Sequence, residues 1–68
     1  MNVEAFIRPG DPVAVKFADG HIAYGELIRF GDGLQTVTIR EGQHQSIVYG
    51  PDDSVVLVYK PKKRDRSA

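Results

Sequence analysis

The chain has 68 residues, 41% hydrophobic and 26% charged, with no cysteine and a formal net charge of zero. That length admits one domain with a modest core, and zero cysteine excludes disulfides and thiolate metal sites. No run approaches the roughly 20 apolar residues of a membrane-spanning helix, and the first dozen residues carry Glu4, Arg8 and Asp11 without a signal-peptide core. The expectation is a soluble, cytoplasmic single domain with no membrane partner.

In chain order, Asn2 to Ile7 is the only helix candidate, a turn and a half with Asn2 as cap and Glu4 in the first turn. Gly10-Asp11-Pro12 is a turn into a first strand, where Val13, Val15 and Phe17 alternate with Ala14 and Lys16. Ala18-Asp19-Gly20 closes a hairpin, and a longer strand runs from His21 to Phe30. On it Ala23, Gly25 and Leu27 share one face and Ile22, Tyr24, Ile28 and Phe30 the other, and Gly25 suggests a bend or bulge. After Gly31-Asp32-Gly33, a third strand covers Thr36 to Arg40 with Val37 and Ile39 on the opposite face from Thr36, Thr38 and Arg40. Gln45 to Tyr49 is the fourth strand, Gly50 to Ser54 a single helical turn or tight loop, and Val55 to Tyr59 the fifth strand. Five short strands with tight connections predict an all-β fold, a small, strongly bent, SH3-like or OB-like barrel.

The neutral total hides an asymmetry. Residues 1–59 carry four basic and eight acidic side chains, and residues 60–68 carry five basic side chains against Asp65 alone. The expected division is a barrel domain over 1–59 and a basic, disordered tail over 60–68. Lys62, Lys63 and Arg64 are candidate phosphate contacts with strong salt dependence. The plainer reading is a solubilising tail that also attracts the acidic body of a neighbouring copy.

Val55-Val56-Leu57-Val58-Tyr59 does not alternate. Burying a Val or Leu side chain is worth roughly 1.5–3 kcal/mol, so exposing two or three of them forgoes stability and invites aggregation. A second copy covering the outer face resolves this, with Ile47, Val56, Val58 and Tyr59 as interface candidates. The competing resolution is an N-terminal segment folded back through Val3, Phe6 and Ile7.

Catalytic chemistry is poorly represented. His21 and His44 stand 23 residues apart without ligand spacing, Pro51-Asp52-Asp53-Ser54 is ordinary turn composition, and Ser46, Ser54 and Ser67 lack a nucleophile-elbow context. The expectation is no enzyme, no cofactor and no metal.

The run from Val13 to Leu27, with Asp19-Gly20 at its turn and Ala23-Tyr24-Gly25-Glu26-Leu27 after it, resembles the first motif of Sm-like (Lsm) proteins. Phe30 and Asp32 stand near the aromatic-Asp position with Gly31 between them, and Val48-Tyr49-Gly50 followed by Val55 to Val58 resembles the second motif. The resemblance covers roughly Val13 to Tyr59. It implies a homo-oligomeric ring in which the fourth and fifth strands of neighbours pair. It also implies single-stranded RNA at the inner rim, held by Phe30, Asp32, Thr36, Tyr49 and Gly50. Thr36 replaces the usual Asn and Tyr49 the usual Arg, which removes a two-sided amide and a cation. A shorter stretch, Ser46 to Pro51, resembles the pore motif of type II dihydrofolate reductases, with Ile47 where that family carries the cofactor-contacting Gln. The functional expectation is a ring-forming protein that binds RNA weakly or non-specifically. The alternative is a homo-oligomeric assembly or interaction module that binds no nucleic acid.

Overall fold

The computed structural model describes residues 1–61. It has six strands, β1 (Asn2–Val3), β2 (Pro12–Phe17), β3 (Ile22–Gly31), β4 (Thr36–Glu41), β5 (Gln45–Tyr49) and β6 (Val55–Tyr59), with a 3-10 turn at Pro51–Asp53. All six join one sheet in the order β1-β6-β2-β3-β4-β5. The class is all-β, as the alternation predicts, with one strand more than expected.

The additional strand replaces the expected helical turn. Asn2 pairs with Leu57 and Val3 with Val58, parallel to β6. The Glu4 N–H donates to the Val58 carbonyl at 2.9 Å, and the Lys60 N–H donates to Glu4 Oε1 at 2.7 Å. A helix of a turn and a half has negligible stability by itself, whereas the outer edge of β6 offers unpaired backbone groups to the same residues.

Strand β3 bends the sheet because it serves two partners in succession. Ile22 to Glu26 pair with β2, and Glu26 to Gly31 pair with β4. At Gly25 the strands approach so closely that a Cβ would sit 2.7 Å from the Arg40 carbonyl oxygen and 3.1 Å from Ile39 Cδ1. Glycine there is a packing requirement, and the bulge lies three residues further on. The register shifts between Leu27 and Arg29, leaving Ile28 as the extra residue. That insertion corrects the expected facing, because Phe30 now shares the inward side with Leu27 and packs against the core.

The core consists of Val13, Val15, Ala23, Leu27, Val37, Ile39 and Val58, flanked by half-buried Met1, Val3, Ile7, Phe17, Phe30, Tyr49 and Val55. A second bulge explains the missing alternation in β6. Lys16 pairs with Leu57 but Phe17 pairs with Val55, so Val56 is the inserted residue. Val55 and Val58 therefore turn inward three positions apart, while Val56 is left 42% exposed and Leu57 and Tyr59 are half-buried. Much of the two-sided apolar character is thus used within one copy. Val3 and Ile7 fold back as the competing resolution requires, whereas Phe6 stands 88% exposed at a positive φ of 66°. Among the described residues no helix is long and apolar enough to cross a membrane.

Candidate functional site

The five residues marked by the Sm-like resemblance meet at one end of the sheet. Gly31 pairs with Thr36, Phe30 with Val37 and Val37 with Tyr49. A Cβ on Gly50 would lie 3.7 Å from Thr36 Cγ2, so Gly50 closes against the same threonine. Asp32 opens the intervening turn, where Asp32, Gly33 and Leu34 have φ of 50°, 61° and 70° in succession. A recess of about 180 Å³ beside Thr36 is lined by Met1, Gln35, Gly50, Pro51 and Val55, with no Lys or Arg side chain among them.

The two aromatic groups of this set are engaged. Phe30 packs inward. Tyr49 meets Phe17 edge-on, with ring centroids 5.1 Å apart at 71°, and its hydroxyl donates to Glu41 Oε2 at 2.9 Å. Burial raises the phenol above its usual pKa, and the Glu41 hydrogen bond and the Glu41 and Asp53 charges push it the same way. Both rings are half-buried and already touch side chains of the protein's own core or strands. Lys62, Lys63 and Arg64 lie outside the described residues.

A larger recess, about 320 Å³, opens at the β2–β3 turn and is lined by Phe17, Ala18, Asp19, His21, Asp53 and Ser54. Its carboxylates already close turns. Asp19 Oδ1 accepts the His21 N–H at 2.8 Å and Asp53 Oδ2 accepts the Gly50 N–H at 2.7 Å. The His21 ring rests tilted on Phe17 at 5.5 Å. Among the described residues no group of three or more His, Asp or Glu is placed to hold a metal ion.

The edges of the sheet offer backbone groups that face no neighbouring strand. Among the described residues β5 pairs with β4 alone, leaving one side of Gln45–Tyr49 without a neighbouring strand. It carries no charged residue and no proline, and Val48 on its outward face is 60% exposed. Such an edge lacks the devices that usually discourage pairing. At the other end of the sheet, β1 occupies the β6 edge along Leu57 and Val58.

The interface candidates divide accordingly. Ile47 lies on β5 opposite Ile39 and is half-buried, and Val56 and Tyr59 retain exposed surface. Val58 is a correction. It is fully buried in the core of its own copy and its backbone is paired with Val3, so its side chain is not available to a neighbour. Pairing β5 with the Leu57–Val58 half of a neighbour's β6 requires β1 to leave its place.

Two features were missed by sequence reasoning. The role of Glu41 as acceptor for Tyr49 has no local signal, since the two stand eight residues apart on facing strands. The protected state of the β6 edge depends on a two-residue strand too short for any periodicity. No protein-family model, no curated protein and no solved structure matches this chain.

Proposed function

We propose that this chain is a protein-association module that accepts an extended strand along β5, and that it does not recognise nucleic acid through its folded body. The bare, uncharged β5 edge with exposed Val48 carries this reading. An added strand satisfies backbone donors and acceptors in a row, and alternate side chains supply selectivity.

Charge supports the same reading. Residues 1–61 hold five basic side chains (Arg8, Lys16, Arg29, Arg40, Lys60) and eight acidic ones, a net −3 that repels a phosphate backbone. Arg40 faces Glu26 across the sheet, and the Lys60 ammonium lies 3.9 Å from Asp11 Oδ2. RNA affinity, where it exists, then resides in the basic residues beyond Pro61 and is indifferent to sequence.

The test is an amide-resonance titration of the full chain with a single-stranded RNA oligonucleotide at low salt. The reading expects residues 30–50 to keep their positions. Movement of the Thr36, Tyr49 and Gly50 amides on adding RNA overturns it.

A further inference from the structure

Resting on the association reading, we infer that the strand taken up by β5 is β5 of a second copy, antiparallel, about a two-fold axis through Ile47. The sheet ends at β1 and at β5. Strand β1 is two residues long, too short to template a partner, yet it covers Leu57 and Val58 and so obstructs a head-to-tail β5-to-β6 contact. Pairing β5 with itself needs no such displacement, and it is an isologous contact that closes at two copies.

Strand β5 is chemically suited to face its own copy. In antiparallel register about Ile47, Gln45 stands opposite Tyr49 of the partner subunit and Ser46 opposite Val48 of the partner subunit. No like charges meet, because residues 45–49 carry none. The cross-strand pairs match Val48, the most exposed apolar side chain of the strand, with a small hydroxyl residue that leaves room above it. The two half-buried Ile47 side chains lie on the same side as Ile39 and extend the core across the axis. The pairing is bounded on one flank by the turn at Gly42 (φ 79°) and on the other by Pro51, which has no N–H to donate. The product is one continuous sheet through both copies with no β5 edge left over. Five residues a side is a small interface, so the dimer is expected to dissociate in the micromolar range.

The experiment is light scattering on the full chain as a function of concentration, with two charge variants at exposed positions, S46E and V48K. The two-fold contact expects a mass rising from 7.5 kDa to twice that value, and 7.5 kDa for each variant alone. In that register the new carboxylate of one variant faces the new ammonium of the other. An equimolar mixture therefore recovers the dimer, while a parallel or shifted pairing does not. Circular dichroism verifies that both variants keep the native sheet. A wild-type mass fixed at 7.5 kDa up to about 100 μM, a mass above two copies, variants that still dimerise, or a mixture that stays monomeric overturns the proposal. These outcomes are separate from the RNA titration, which decides only whether the folded body contacts nucleic acid; a monomeric wild type overturns the two-fold contact and leaves β5 open to a strand of another chain.

Discussion

At Gly25 the backbone of β4 lies where a side chain would be, and the clash of 2.7 Å is with a carbonyl oxygen that cannot rotate away. Gly25→Ala is therefore expected to cost about 2 kcal/mol or more, read as a lower urea midpoint with unchanged slope. Leu34 is the converse case. Its φ of 70° is unfavourable for a branched side chain that is 47% exposed and buries little in return. Leu34→Gly relieves roughly 1–2 kcal/mol of left-handed strain against about 0.5–1 kcal/mol of added chain entropy, so the urea midpoint should rise slightly. Tyr49→Phe removes the bond to Glu41 and should cost about 1 kcal/mol near neutral pH. Because the folded phenol titrates above its unfolded value, its contribution is fully present below about pH 10 and declines as pH rises through the folded pKa. The gap between wild type and Tyr49→Phe should therefore narrow in alkaline urea titrations. A gap that widens there contradicts the assigned hydrogen bond.

Among the elements, those with a pattern of their own were legible in advance. Strands β5 and β6 run over the expected residues, β2 and β4 differ from expectation by one residue at one end, and β3 by one residue at each end. Alternation and Gly-containing turns are local signals and survive folding unchanged. What could not be seen were the two bulges at Ile28 and Val56, since one inserted residue reverses every facing beyond it without altering composition. For that reason Phe30 lies on the opposite face from the one its spacing predicts, and Val58 packs into the core. The engagement of Tyr49 by Phe17 and Glu41 has no local signal, because it is tertiary. Truncation before Ala5 uncovers the Leu57–Val58 edge, and light scattering should then find assemblies larger than two copies, since β5 and β6 become available together.

For the molecule as a whole, charge separates a −3 body from the basic residues that follow Pro61. Four cationic side chains lie in that stretch. RNA binding by the full chain should weaken with salt along a log–log slope no steeper than about −3, at roughly −0.7 per phosphate neutralised. Truncation after Pro61 should abolish it, whereas Tyr49→Ala should leave it unchanged. Filter binding across a salt series measures both. A steeper slope, or binding that survives the truncation, would place phosphate contacts on the sheet itself.

The β1–β6 pairing joins Asn2 to Leu57, almost the full length of the described chain. Closing so long a loop is entropically costly, and the return is two residues of parallel ladder. That contact is expected to form last during folding and to open first in the native state. Deuterium should reach the Glu4 amide well before the amides of β2 and β3. The rate at which the first four residues lift away then sets the tempo at which the far side of the sheet becomes accessible, a molecular latch whose spring is chain length alone.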